Sequence, residues 1–142
     1  MKACFMGLGY IGLPTAIIAA KHSVDVVGVD INKNVVETTN KGQLHTIEPG
    51  MENLLQEVLA SGKFKAYTEP QESDAYFIVV PTPFKGDHEP DISYVEAATR
   101  MIIPLLKPND LFIIESTSPV GTTEKMMSLI YETRPELKDK IF

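Results

Sequence analysis

Gly7-Leu8-Gly9-Tyr10-Ile11-Gly12, preceded by Ala3-Cys4-Phe5-Met6 and followed by Pro14-Thr15-Ala16-Ile17-Ile18-Ala19-Ala20, decides the fold. The first apolar run reads as a buried strand and the last as a helix. The six residues between them match the G-x-G-x-x-G turn that joins strand to helix in a dinucleotide-binding unit. Gly7 allows the tight turn out of the strand, Gly9 lets backbone approach a pyrophosphate, and Gly12 lets the helix lie close to the sheet. The phosphates then face free N–H groups at the positive end of the helix. Pro14 falls in the first helical turn, where a missing N–H costs little.

Working outward, Asp30 closes a second apolar run, Val26-Val27-Gly28-Val29. A carboxylate there accepts hydrogen bonds from both adenosine ribose hydroxyls, each contributing roughly 1.5–3 kcal/mol. The same charge repels a 2′-phosphate, so NAD is the expected cofactor rather than NADP.

Strand-like runs recur at residues 2–6, 24–30, 75–80 and 110–115, with a weaker one at 64–67. Helical patterns occupy 10–21, 32–41, 51–61, 92–106 and 122–133. The alternation, with runs apolar throughout, predicts an α/β fold: a Rossmann-type doubly wound parallel sheet of five strands with the usual sixth missing. The stripe of Met51, Leu54, Leu55 and Val58 has ordinary core spacing. After residue 133 the tail offers no further strand–helix unit. Residues 1–142 are therefore expected to form one NAD-binding domain at the front of a longer enzyme.

The net charge is −6, with 13 Lys and Arg against 19 Asp and Glu. No basic stripe exists to neutralise nucleic-acid phosphates. The single cysteine, Cys4, excludes a disulfide framework and suits a reducing cytosol, and its place in the first strand makes it a buried small hydrophobe. Lys2 and the apolar stretch after it resemble a signal peptide, but the fingerprint glycines and Pro14 interrupt it. A cytoplasmic protein without membrane attachment is expected.

Ligands of open parallel sheets bind beyond the carboxyl ends of the strands. Gly7, Asp30, Val80-Pro81-Thr82-Pro83 and Glu115-Ser116-Thr117 fall at four such ends. The two prolines flanking Thr82 make a rigid loop suited to a cofactor wall. Ser116-Thr117-Ser118 could be turn chemistry, with Thr117 the functional candidate. Thr122 or Thr123 could simply cap the last helix. No metal site is expected: Asp87-His88-Glu89 reads as a solvated loop, and His22 and His45 stand isolated.

Five segments occur together in one order: Gly7–Pro14 in full (Gly7-Leu8-Gly9-Tyr10-Ile11-Gly12-Leu13-Pro14), Gly28-Val29-Asp30, Glu48-Pro49-Gly50, Val80-Pro81-Thr82-Pro83 and Ser116-Thr117-Ser118-Pro119-Val120-Gly121. Over essentially the whole chain they resemble the N-terminal domain of the UDP-glucose/GDP-mannose dehydrogenase family. Residues 45–49, 81–91 and 115–124 are similar to the branch whose substrate is UDP-N-acetyl-D-mannosamine. UDP-glucose members typically carry Lys in place of Glu115 and a different residue after Thr117. UDP-N-acetylglucosamine members differ around Pro119-Val120-Gly121.

The resemblance implies oxidation of a sugar C6 alcohol to a carboxylate in two NAD-dependent steps, through an aldehyde captured by a cysteine in the second half of the enzyme. That half also carries the supporting Glu, Lys and Asn side chains and makes the enzyme a homo-oligomer; Cys4 lies in the wrong place for that nucleophile. What carries over is the cofactor site: Gly7, Leu8, Gly9, Tyr10, Ile11 and Gly12 around the pyrophosphate, with the amides of Tyr10 and Ile11 donating, and Asp30 on the adenosine ribose. Pro81 and Thr82 line the nicotinamide-side ribose. Thr117 lies near the nicotinamide in a supporting catalytic role, and Thr123 is a further contact. Three alternatives stay open: the same domain of a UDP-glucose or UDP-N-acetylglucosamine 6-dehydrogenase, another two-domain dehydrogenase of the β-hydroxyacid type, and a stand-alone NAD-binding module.

Overall fold

Apolar residues run through β1 (Lys2–Met6) without alternation because both faces of this strand are covered. The computed structural model, which describes residues 1–45, 49–86 and 89–142, places β1 at the centre of a five-stranded parallel sheet. Its neighbours are β2 (Asp25–Val29) and β4 (Ala75–Ile78). Outside them lie β3 (Phe64–Tyr67) and β7 (Leu111–Ile114), giving the order β3-β2-β1-β4-β7. The direction of strand addition reverses between β1 and β4, which opens a crevice at their carboxyl ends.

Successive residues of β1 feed two separate cores. Ala3 and Phe5 point into one, with α1 (Gly12–Lys21), α2 (Lys33–Asn40) and α3 (Met51–Ala60). There Phe5 stacks on Phe77 of β4, ring centroids 4.4 Å apart. Cys4 and Met6 point into the other, against α4 (Ser93–Ile102) and α5 (Thr122–Thr133). Leu13, Ile17 and Leu55 in the first core and Ile102 and Ile130 in the second are fully buried, each contributing roughly 1.5–3 kcal/mol.

Polar staples hold the amino ends of the strands. The Lys2 N–H donates to Asp74 Oδ2 at 2.8 Å. Lys107 Nζ reaches the Ser73 carbonyl and Asp110 Oδ1, both at 2.6 Å. The buried Tyr76 hydroxyl accepts from the Ser73 N–H and donates to the Leu105 carbonyl. Burial pushes that phenol up to about 12.

Three details depart from the sequence reading. The helix expected over 92–106 ends at Ile102 and tightens into a 3₁₀ turn at Ile103–Leu105, because Pro104 lacks an N–H and clashes with the preceding turn. The loop after Pro83 contains a small antiparallel pair, β5 (Phe84–Lys85) and β6 (Glu89–Pro90). The tail also has structure: Pro135–Leu137 make a 3₁₀ turn, and residues 140–142 lie along the outer edge of β7. There the Phe142 N–H donates to the Asp110 carbonyl at 3.1 Å and the Phe112 N–H to the Phe142 carbonyl at 2.6 Å, a parallel bonding pattern. The metal-like cluster at Asp87-His88-Glu89 and the Glu48 of Glu48-Pro49-Gly50 fall partly or wholly outside the described residues.

Candidate functional site

The turn leaving β1 is built from glycine for three different physical reasons. Gly7 adopts φ +107°, and a Cβ on it would lie 2.5 Å from the Val79 carbonyl oxygen. A Cβ on Gly12 would lie 2.0 Å from the Gly7 carbonyl oxygen. Both are demanded by the protein's own packing. A Cβ on Gly9, by contrast, would meet nothing within 4 Å. Its bare backbone faces open space, the cradle that a close-approaching diphosphate requires.

Leu8 anchors this turn by inserting fully into the core above Gly28, where any Cβ would come within 2.9 Å of it. Its contribution is therefore structural at the side chain, while its N–H donates to Asp30 Oδ2 at 3.1 Å. The other carboxylate oxygen, Oδ1, accepts from the Asn32 N–H at 2.9 Å. Asp30 thus holds the glycine turn and the start of α2 together, leaving further lone pairs on both oxygens for a ligand. Helix α1 begins after Ile11 with no side chain capping it, so the dipole end and amides of its first turn face the crevice.

Four strand ends meet around a cavity of about 350 Å³. Its lining includes Gly7, Gly9, Tyr10, Ile11, Asp30, Pro81, Thr82 and Thr117, together with Glu115. The Thr82 hydroxyl donates to the Thr117 carbonyl at 2.6 Å, fixing the spacing between the two loops. Ser116 reinforces the same junction through its hydroxyl, which donates to the Val80 carbonyl at 2.7 Å. Gly12 lies buried beneath the site. Thr123 is exposed on the first turn of α5 and does not line the cavity. Neither Thr122 nor Thr123 caps that helix: Gly121, at φ +89°, occupies the capping position, and the Thr122 hydroxyl turns back to the Pro119 carbonyl at 2.8 Å.

An adjoining apolar cavity of about 240 Å³ opens beside Asp30, walled by Ile31, Pro81, Tyr94, Ala97 and Met101. Sequence reasoning missed Ile31, Tyr94, Ala97 and Met101, and expected Pro81 only at the nicotinamide-side ribose. Tyr94, Ala97 and Met101 share one helical face and read as ordinary core, whereas Ile31 is 78% exposed immediately after Asp30, and that exposed apolar residue is the signal. An apolar slot beside a strand-end carboxylate suits an aromatic ring.

The segment between the two cavities is tied down electrostatically. Asp91 accepts from Lys85 Nζ at 2.8 Å and from the Ser93 N–H at 2.9 Å, joining β5 to the start of α4. Its N–H donates to the Pro83 carbonyl at 2.6 Å. The Lys85 ammonium and the Ser93 bonds draw its carboxyl down from 3.8 to about 2. A carboxyl depressed in the folded state contributes stability above its unfolded value, and that stability is lost as pH falls through the folded value. Urea midpoints should therefore fall between about pH 4 and pH 2, and an Asp91→Asn variant should lack this part of the slope. Equal slopes in the two proteins would show that the pair contributes nothing.

Among the described residues no group of three or more His, Cys, Asp or Glu is arranged to hold a metal. No helix among them is long and apolar enough to cross a membrane. Cys4 is fully buried in β1, and burial pushes its thiol up to about 12.

Comparison with known proteins agrees with this geometry. The NAD-binding domain of the UDP-glucose/GDP-mannose dehydrogenase family matches residues 1–141. A UDP-N-acetyl-D-mannosamine dehydrogenase of Campylobacter jejuni is 53% identical over 96% of the chain and 34% of the relative. An NDP-N-acetyl-D-galactosaminuronic acid dehydrogenase of Ralstonia nicotianae is 48% identical over 93% of the chain and 31% of the relative. Among solved structures, the UDP-N-acetyl-mannosamine dehydrogenase Cap5O of S. aureus superposes with a TM-score of 0.91 at 43% identity, covering 95% of this chain and 33% of that one. The chain spans about a third of the length of the curated relatives it matches.

Proposed function

The chain belongs to the UDP-glucose/GDP-mannose dehydrogenase family as its NAD-binding domain, and from that premise we propose that it is the cofactor-holding part of an enzyme oxidising the C6 alcohol of UDP-N-acetyl-D-mannosamine to a carboxylate. One observation carries the cofactor half: the Asp30 carboxylate sits at the end of β2, beside a glycine turn whose Gly9 backbone is left open. The sugar half is supported by the identity to the Campylobacter relative named for that substrate.

Bound in this crevice, NAD would supply the hydride acceptor for oxidation of the sugar. The protein's own residues bind and orient the cofactor. The Tyr10 and Ile11 amides face the diphosphate at the α1 end. Asp30 accepts the adenosine ribose hydroxyls, and Ile31, Tyr94 and Met101 cover the adenine. Thr82, fixed by the hydrogen bond it donates to Thr117, presents its hydroxyl lone pairs to the second ribose. Pro81 keeps that loop rigid, and Thr117 flanks the reacting end in a supporting role. Thr123 belongs at most to the periphery. The nucleophilic cysteine, the sugar-binding residues and the subunit contacts belong to the rest of the enzyme, since Cys4 is sealed in β1.

Residues 1–142 should therefore bind NAD in a calorimetric titration yet release no NADH from UDP-N-acetyl-D-mannosamine. The full-length protein should oxidise that sugar faster than UDP-glucose or UDP-N-acetylglucosamine. Turnover by the 142-residue chain alone would sink the division of labour, and a faster rate with another UDP-sugar would reassign the substrate.

A further inference from the structure

We infer that the Glu115 carboxylate biases the crevice toward the oxidised form of the cofactor. The inference rests on the NAD reading above. Glu115 directly follows β7, and its backbone is fixed because its N–H donates to the Ile78 carbonyl at 3.0 Å. Glu115 lines the 350 Å³ cavity together with Tyr10 and Ile11. The Thr15 hydroxyl, on the first turn of α1, lies 3.5 Å from Oε1. That hydroxyl has one proton and gives it to the Ile11 carbonyl at 2.8 Å. Among the described residues no Lys, Arg or His forms an ion pair with Glu115.

An unneutralised negative charge is a poor lining for a crevice that receives an anionic diphosphate. What it discriminates is set by the strand order. Asp30 at the end of β2 takes the adenosine ribose, and the α1 terminus above β1 takes the diphosphate. The nicotinamide therefore falls at the ends of β4 and β7, where Thr82, Thr117 and Glu115 stand. The diphosphate charge is the same in both redox forms. The nicotinamide ring carries a positive charge when oxidised and none when reduced. The field of Glu115 accordingly favours NAD over NADH. A reaction that consumes two NAD molecules per substrate gains from this, because the first NADH must leave before the second NAD enters.

Across such a crevice the carboxylate and the nicotinamide ring would stand on the order of 7 Å apart. A unit charge acting over that distance in bulk water changes a binding ratio about threefold, and more where the crevice excludes water. The test is calorimetric titration of the chain, Glu115→Gln and Glu115→Lys with NAD and with NADH at low ionic strength. The ratio Kd(NADH)/Kd(NAD) should fall at least about threefold in Glu115→Gln and further in Glu115→Lys. Added salt should shrink both changes, while the melting temperatures stay together. A purely structural role would move both affinities alike and leave the ratio untouched, which overturns the proposal. An unsubstituted chain that binds neither form overturns the NAD reading itself.

Discussion

Replacing Asp30 with alanine is expected to weaken NAD binding about a hundredfold. On the proposed reading the carboxylate accepts hydrogen bonds from two ribose hydroxyls, and a bond to a charged group contributes roughly 1.5 kcal/mol even at the low end. Two such bonds lost amount to about 3 kcal/mol, or about two factors of ten in affinity. The variant also strands the Leu8 and Asn32 N–H groups that Asp30 now satisfies, so the glycine turn loosens as the ligand contact disappears. The same substitution removes the repulsion that excludes a 2′-phosphate, so discrimination between NAD and NADP should collapse. Calorimetric titration with both cofactors checks this. An Asp30→Ala chain that keeps NAD affinity within about threefold would show that the ribose is held elsewhere.

The second large effect separates the two kinds of glycine in the turn. Gly12→Ala drives a methyl group to 2.0 Å from the Gly7 carbonyl oxygen, an overlap that only displacement of α1 from the sheet relieves. Overpacking typically costs 1–3 kcal/mol and occasionally more, and backbone rather than a flexible side chain is displaced here, so about 3 kcal/mol is expected. In a domain of this size that lowers the melting temperature by about 10 °C. Gly9→Ala places its methyl in open space, so its melting temperature should stay within about 2 °C while NAD binding is lost. Thermal unfolding of both variants with a cofactor titration decides the matter. Equal destabilisation by the two would mean that Gly9 is also a packing residue.

The fold was largely legible in the sequence because each strand is apolar throughout and ends at a turn signal. β1 stops at Gly7, and β3 lies between Gly62 and Thr68-Glu69-Pro70; both match their expected limits. Other runs shorten: β2 ends at Val29 and β4 at Ile78, and Asp30, Val79 and Val80 beyond them line the crevice. The β5–β6 pair was not legible: two exposed residues on each side are too few to show alternation. The diphosphate end of the site was visible because its residues are contiguous. The apolar cavity beside Asp30 was not, because Ile31 and Tyr94 come from different segments and each looks ordinary by itself, while Pro81 was expected only on the other side of the site. Glu115 was placed at a strand end and served as a mark of resemblance, but was given no role. Its position against the glycine turn depends on β7 lying next to β4, which spacing along the chain does not reveal.

The staples formed by Lys2, Asp74, Lys107 and Asp110 close one end of the strands, while every ligand-facing residue stands at the other. A five-residue strand is about 16 Å long, beyond the range over which substitutions ordinarily couple. The molecule therefore has two regions that can drift independently. Mutations at the stapled rim can add or remove robustness without retuning the ligand rim, and the loops at the ligand rim can diversify while the opposite end absorbs the loss. That separation of evolvability from durability follows from a parallel sheet, whose strand tips all point one way.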